Sequence, residues 1–208
     1  MPKSQDVRQL VRLVGLALTL FTITVGVVAA AYGGWGYTVT IEDTNGSTVR
    51  GEDPYLPSCN GCPPFSGADL GAYNSSDTLT ISASQAKTFK NNGSDVTGVT
   101  MQYQLDGPGG TVVAWGDNDI AFAFQANLPP PQNDGDQQWG TNSTGIGDLI
   151  PLLGSNYGTY TLSVRYVISG TPEAPITYGP FSATFTYEAP TATTIALYDV
   201  NSEADGLR

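Results

Sequence analysis

The chain has 208 residues, with 19 acidic side chains against 8 basic ones, no histidine and a formal net charge of −11 at pH 7. This length accommodates one sizeable domain with its own core, or one domain with a short appendage. The acidic balance argues against nucleic acid as a partner, and the lack of histidine removes the commonest general base and the commonest metal ligand.

The first thirty residues differ from the rest of the chain. Three basic residues within the first twelve precede an uncharged run over residues 13–31 that is rich in Leu, Val, Ala and Thr. A basic start, an apolar stretch and the small residues Val28-Ala29-Ala30 are typical of an export signal that a signal peptidase removes. We therefore predict a signal peptide over residues 1–30 and an extracellular mature chain with a net charge near −13, because the signal takes three basic residues and one acidic residue with it.

Two other interpretations of this segment stay open. Nineteen uncharged residues are long enough to span a bilayer, so the segment could instead remain as an N-terminal anchor. It could also belong to a type IV pilin, although the basic-residue-plus-Gly cleavage site is missing, because Leu13 follows Arg12 directly. Under the signal-peptide prediction, the membrane is a partner only through this transient segment.

From Tyr32 onward the composition favours β-strands, because Thr, Tyr, Val, Gly, Ser and Asn dominate. Apolar and polar residues alternate most clearly over 99–105, 160–168 and 181–187. Weaker strand patterns cover 79–83, 112–115, 120–124 and 195–200, whereas residues 128–155 look like a long irregular stretch. Seven or eight short strands without helical periodicity predict an all-β fold, an antiparallel β-sandwich of jelly-roll or Ig-like type over residues 44–208.

The two cysteines lie close together in Cys59-Asn60-Gly61-Cys62, with proline on both sides. These surroundings predict a tight turn, and in an exported chain we expect a small-loop disulfide between Cys59 and Cys62. A thioredoxin-like redox pair would need a helix start beside a βαβ unit, and a zinc site would need two further ligands. We therefore predict no cofactor.

No catalytic constellation is evident, so we predict that the protein is not an enzyme. No serine lies in a Gly-x-Ser-x-Gly turn. Two acidic pairs, Asp117 with Asp119 and Asp134 with Asp136, have the residue types of glycosidase carboxylates or of calcium loops. Solvated carboxylates in turns are the simpler interpretation, and metal binding stays an open question at this point.

Four Asn-x-Ser/Thr sequons lie in predicted turns, where a glycosyltransferase could reach them. We therefore expect the mature protein to carry glycan, although a chain rich in Asn, Ser and Thr also produces such matches by chance. The candidate asparagines are Asn45, Asn74, Asn92 and Asn142.

The segment directly after the predicted signal has the pattern of a strand at a free chain end, behind the pair Gly33-Gly34. Its alternating apolar positions are Trp35, Tyr37, Val39 and Ile41. One interpretation is that this strand pairs within its own sandwich, as first strands usually do. The other is that residues 31–43 form a donor strand that inserts into the open sheet of a neighbouring copy, which gives a head-to-tail polymer.

In its layout the chain resembles the archaeal bundling pilins and their bacterial relatives, the TasA-like biofilm fibre proteins. The resemblance rests on the predicted signal ending at Val28-Ala29-Ala30, on the start Tyr32-Gly33-Gly34-Trp35-Gly36-Tyr37-Thr38-Val39 and on the Thr/Tyr-rich strands. It implies a subunit of an extracellular, cell-surface filament that polymerises by donor-strand complementation in cell adhesion or biofilm formation. Its partners would be copies of itself, with neighbouring filaments as further candidates. The Cys59/Cys62 turn has no counterpart in this resemblance.

Two alternatives of other classes stay open. A secreted carbohydrate-binding or adhesive surface domain would use loop aromatics such as Trp115 and Trp139 to stack on sugar rings, whereas packing in the core or at its rim is the commoner fate of a lone tryptophan. An accessory enzyme domain would depend on the acidic pairs.

Overall fold

The computed structural model describes residues 31–52, 59, 61–91, 93–128 and 135–191. The predicted signal peptide over 1–30, the predicted strand over 195–200, Asn92 and Asp134 all lie outside the described residues. Among the residues that are described, no helix has the length and apolar character needed to cross a membrane.

Eleven strands and one short 3₁₀ helix make up the regular structure of the described residues. The strands in chain order are β1 (Tyr32–Asp43), β2 (Gly46–Glu52), β3 (Asp69–Tyr73), β4 (Leu79–Lys90), β5 (Asp95–Gly107), β6 (Gly110–Val113), β7 (Asp119–Ala121), β8 (Ala123–Asn127), β9 (Gln137–Thr141), β10 (Gly158–Thr171) and β11 (Ile176–Tyr187). The 3₁₀ helix Ile150–Leu153 lies between β9 and β10.

The strands form two sheets that pack face to face. Sheet A has the order β2-β1-β4-β9-β8, and sheet B has the order β3-β11-β10-β5-β6, with β7 also paired to β5. All strand pairs are antiparallel except β3 with β11, which is parallel. The predicted all-β sandwich is therefore confirmed.

Alternation along the strands decides which side chains enter the core between the sheets. Over the predicted segments 99–105 of β5 and 160–168 of β10, every second residue is apolar and buried, and Ser163 is buried in addition. In β11, Ala183, Phe185 and Tyr187 are buried, while Phe181 is half-buried and packs against the same core. These three predicted strands are confirmed.

The weaker predictions need correction in two places. The segment 120–124 is not one strand, because the chain crosses at Phe122 from β7 in sheet B to β8 in sheet A. Phe122 is buried, and its amide donates to the carbonyl of Val99 at 2.9 Å. The stretch 128–155 is not wholly irregular, because it contains β9 and the 3₁₀ helix.

Candidate functional site

β1 is an inner strand of sheet A and lies between β2 and β4. On one side, residues 37–43 pair with residues 46–52 of β2. On the other side, β1 pairs along its length with β4. In the single chain, β1 therefore fills a slot between its own β2 and β4, and we call this slot the β1 slot.

Three of the four predicted donor-strand side chains fill the core at this slot. Tyr37 is 0% exposed, and Val39 and Ile41 are also buried. The Tyr37 ring stacks on the Tyr166 ring of sheet B, with centroids 4.5 Å apart and an angle of 24° between the planes. Tyr178 lies beside it, with a centroid distance of 5.6 Å. The side chains of β1 thus join the two sheets.

A buried polar contact fixes the backbone of β1 next to this aromatic stack. The carbonyl of Thr38 accepts hydrogen bonds from the Ser84 hydroxyl at 2.6 Å and from the Tyr166 hydroxyl at 3.2 Å. The two hydroxyl oxygens lie 3.0 Å apart. Burial raises the pKa of Tyr166 above its ordinary value, so the neutral phenol needed for this contact persists to alkaline pH.

Trp35 departs from the predicted alternation. Trp35 is opposite Lys87 of β4 and Thr38 is opposite Gln85, so β1 has one extra residue between these two pairs. This is a β-bulge, and Gly36 adopts the left-handed backbone conformation there with a φ of 59°. Trp35 is consequently half-buried and contacts Lys87, whose ammonium lies 4.7 Å from the ring centroid.

The start of β1 is held by contacts to two turns. The carbonyl of Ala31 accepts hydrogen bonds from the Asn91 amide and the Ser94 hydroxyl, both at 2.8 Å. The Tyr32 hydroxyl donates to the carbonyl of Ala174 at 2.7 Å. A Cβ atom at Gly34 would overlap the side chain of Ile168, so glycine allows the backbone to approach sheet B here.

A two-residue turn, Thr44-Asn45, joins β1 to β2. The Asp43 carboxylate accepts from the Asn45 amide at 2.7 Å and from the Tyr73 hydroxyl at 3.1 Å. The Thr44 hydroxyl oxygen accepts from the Thr78 amide at 2.9 Å. Side-chain hydrogen bonds therefore close the turn, two of them exposed and the one from Tyr73 partly buried.

Cys59 and Cys62 are joined as a disulfide pair, with their Cα atoms 5.4 Å apart. The Cys62 amide donates to the Cys59 carbonyl at 3.3 Å, which closes the tight turn that the sequence predicts. The pair lies on the connection from β2 to β3.

The described sequon asparagines, Asn45, Asn74 and Asn142, are all exposed. Asn45 lies in the β1–β2 turn, and Asn74 follows β3 directly. Asn142 differs, because the hydroxyl of Thr144, the third residue of its sequon, donates to the carbonyl of Ile81. The backbone amide of Thr144 also donates to sheet A. Among the three sequons, the hydroxyl is bound to a distant strand only at Asn142, whereas at Asn74 the Ser76 hydroxyl donates to the side-chain oxygen of Asn74 itself at 2.6 Å.

Of the two acidic pairs, only Asp117 with Asp119 lies wholly within the described residues. Asp117 accepts from the amide of Ala114 at 3.2 Å, and Asp119 accepts from the side-chain amide of Gln102, so both complete local contacts. Within the described ranges no group of three or more His, Cys, Asp or Glu side chains is placed to hold a metal ion. Asp134 lies outside those ranges.

The two tryptophans singled out as possible sugar platforms have different environments. Trp139 is not on a loop but in β9, is 9% exposed and donates from its indole nitrogen to the Thr88 hydroxyl at 3.1 Å. Trp115 follows β6 and is half-buried, and the guanidinium of Arg165 lies 4.4 Å from its ring centroid. The expected loop position is therefore wrong for Trp139.

The contacts that define the β1 slot come from distant parts of the chain. Ser84, Tyr166 and Tyr178 carry no local motif, so sequence reasoning missed them. The alternation in β10 was the available signal for Tyr166, since it placed that ring on an inward face. No protein-family model and no curated protein matches this chain.

Proposed function

We propose that the protein is a structural subunit of an extracellular, cell-surface filament in which β1 of one copy fills the β1 slot of the next. The observation that carries this proposal is the position of β1. It is the first strand of the described chain, it lies inside a sheet, and only a two-residue turn joins it to β2. The same strand of a second copy offers the same side chains and the same backbone hydrogen bonds.

The energetics of an empty slot support exchange over simple loss of β1. Burial of Tyr37, Val39 and Ile41 stabilises by about 1.5–3 kcal/mol for each side chain, or roughly 5–9 kcal/mol together. The whole stability of a domain is about 5–15 kcal/mol. An empty slot would therefore remove a large part of a typical domain's stability, which favours a slot filled by the chain's own β1 or by that of another copy.

The proposed contact is head-to-tail, because the donor strand and the slot are different surfaces of the subunit. Contacts of this type do not close on themselves, so they build an open filament. Removal of residues 1–30 by a signal peptidase would free the chain start near Tyr32 for exchange. A filament built in this way outside the cell fits a role in cell adhesion or biofilm formation. Its partners are copies of the chain, with neighbouring filaments as further candidates.

Electron microscopy of three samples at matched concentration tests the proposal. The first is the mature chain from residue 31, the second lacks residues 31–43, and the third is the shortened chain with a synthetic peptide of residues 31–43. We expect filaments in the first sample only, and a folded monomer in the third, because the free peptide fills the slot without linking subunits. The same peptide with Tyr37→Asp is the matched control and should not restore the fold. Monomers in the first sample, or filaments in the second, would overturn the proposal.

The sugar-binding alternative has less support. Trp139 is buried, and one face of Trp115 lies against the Arg165 guanidinium. Glycan-array binding that is lost on Trp115→Ala would favour it.

A further inference from the structure

The Cys59–Cys62 turn is a motif that the proposed function leaves without a role. We infer that this turn, together with residues 63–68, fixes β2 to the body of the subunit, so that β1 alone is exchanged and enters a slot with two edges, β2 and β4, on the next copy. This inference rests on the proposed function and identifies which segment moves and which stays.

A different exchange is equally compatible with the strand order alone. β1 and β2 form a hairpin with seven paired positions, so the hairpin could move as one unit. In that case the hinge would lie in the connection from β2 to β3, and the acceptor would offer the edge of β4 together with the residues that contact β2 in the single chain. The contacts that β2 makes outside the hairpin distinguish the two cases.

The backbone of β2 has partners on the side that faces away from β1. The Gly51 amide donates to the carbonyl of Pro63 at 3.0 Å, and the Phe65 amide donates to the carbonyl of Gly51 at 3.3 Å. Gly51 and Pro64 accordingly form a parallel bridge. The end of β2 is therefore bonded to residues 63–65 as well as to β1.

Side chains on either side of Gly51 add to this attachment. The Arg50 guanidinium donates to the carbonyl of Pro64 at 3.3 Å. The Glu52 carboxylate accepts from the backbone amide of Ser66. Three consecutive residues of β2 thus contact the segment 63–66, and none of these contacts involves β1.

The segment 63–68 is itself anchored in sheet B. Phe65 is 0% exposed and belongs to the core. The Gly67 amide donates to the carbonyl of Ser182, and the Thr184 amide donates to the carbonyl of Ala68, both at 2.8 Å. A continuous series of bonds therefore runs from β2 through residues 63–68 to β11. Exchange of the hairpin would have to break this series in addition to the pairing of β1 with β4, whereas exchange of β1 alone leaves it intact.

The disulfide acts directly before this segment, because Cys62 precedes Pro63. A cross-link over so few residues restricts the conformations of the chain at the point where the attachment begins. The β1–β2 turn has no comparable restraint. Its closing hydrogen bonds involve the side chains of Asp43 and Thr44, and straightening it removes one contact of a core residue, the hydrogen bond from Tyr73 to Asp43. The Tyr73 hydroxyl keeps the carbonyl of Leu70 as a partner.

Paired cysteines at cross-strand positions test which segment moves. One variant carries Thr40→Cys with Val49→Cys, which are register partners of β1 and β2. The other carries Glu42→Cys with Thr80→Cys, which are register partners of β1 and β4. Each is assembled into filaments, oxidised and run on a denaturing gel without reductant. Peptide mapping checks that the native pair stays closed.

We expect ladders of covalent oligomers from both variants, because β1 then pairs with β2 and β4 of another copy. A ladder from the β1–β4 pair alone, with the β1–β2 pair closed inside single chains, would overturn the inference and leave the proposed function intact. If both engineered cysteine pairs form disulfides only within single chains although the material is filamentous, the proposed function itself is overturned.

Amide hydrogen exchange tests the role of the disulfide separately. It is measured on the full-length mature chain at a concentration below that at which filaments assemble. We expect Cys59→Ser with Cys62→Ser to accelerate amide hydrogen exchange in β2 by about tenfold or more while exchange in β10 is unchanged, because only the attachment of β2 is loosened. Unchanged exchange in β2 would show that the disulfide does not help to fix this strand.

Discussion

The opposite placement of Tyr37 and Trp35 leads to a direct test of the slot. These aromatic residues are two positions apart on β1, and simple alternation would put both on one face. The bulge at Gly36 separates them, so that Tyr37 is fully buried and Trp35 is half-buried over Lys87. Alanine substitutions at the two positions should therefore have unequal effects.

The magnitudes follow from the contacts that each ring loses. Replacement of a buried aromatic residue by alanine lowers the free energy of unfolding by about 3–5 kcal/mol, and Tyr37 also loses its stacked contact with Tyr166. Trp35→Ala removes a cation–π contact at a partly exposed site, which is worth about 0.5–1 kcal/mol. We expect Tyr37→Ala to be at least about 2 kcal/mol more destabilising than Trp35→Ala.

Urea unfolding of the monomeric mature chain, followed by tryptophan fluorescence for Tyr37→Ala and by circular dichroism for both variants, measures this difference. If Tyr37→Ala leaves too little folded protein, Tyr37→Leu retains most of the apolar volume and keeps the comparison measurable. Equal losses for the two alanine variants, or a larger loss for Trp35→Ala, would refute the bulge and with it the described register of β1.

Three further outcomes follow from other contacts. Gly36→Ala should lower the free energy of unfolding by about 1–2 kcal/mol in urea titrations, because alanine is strained at a φ of 59°. The free energy of unfolding should fall between about pH 10 and 11, because the raised pKa of Tyr166 makes the folded chain keep a proton that the unfolded chain releases. Tyr166 contributes a slope of up to roughly 1.4 kcal/mol per pH unit, which urea midpoints across this range measure. A glycosyltransferase acting on the folded protein should modify Asn45 and Asn74 but not Asn142, whose sequon hydroxyl is bound into the fold, and peptide mass spectrometry measures the occupancy.

Each of these has a matched control within the chain. Gly98→Ala in β5 should be nearly neutral, because Gly98 has no left-handed φ and no atom within 4 Å of the added Cβ. Tyr166→Phe should reduce the slope of stability above pH 10, and an unchanged slope would assign the effect to other groups. Modification of Asn142 in the folded protein at the level of Asn45 would show that the Thr144 hydrogen bond does not protect it.

The long inner strands were predictable because their pattern is local. In β5 and β10, apolar residues that face the core alternate with polar residues on the other face, so a period of two is visible in consecutive residues. β9 was missed because Gln137–Thr141 is short and rich in glutamine, and its strand conformation depends on pairing with β4 and β8. The short edge strand β3 was missed for the same reason, since its partner β11 is more than 100 residues away. β2 was missed although its partner β1 is adjacent, because Gly46–Glu52 has no apolar alternation.

For the first strand, the sequence by itself determined that residues from Tyr32 onward are extended, that every second side chain is apolar over 37–41 and that glycines precede and interrupt the strand. The tertiary structure alone decided that β1 lies between β2 and β4, that Trp35 turns away from Tyr37, and that Tyr166 and Ser84 bind the carbonyl of Thr38. The physical reason is that strand propensity and alternation act over neighbouring residues, whereas register, bulges and the partners of a buried carbonyl depend on other strands, as with Ser84, which is 46 positions from Thr38.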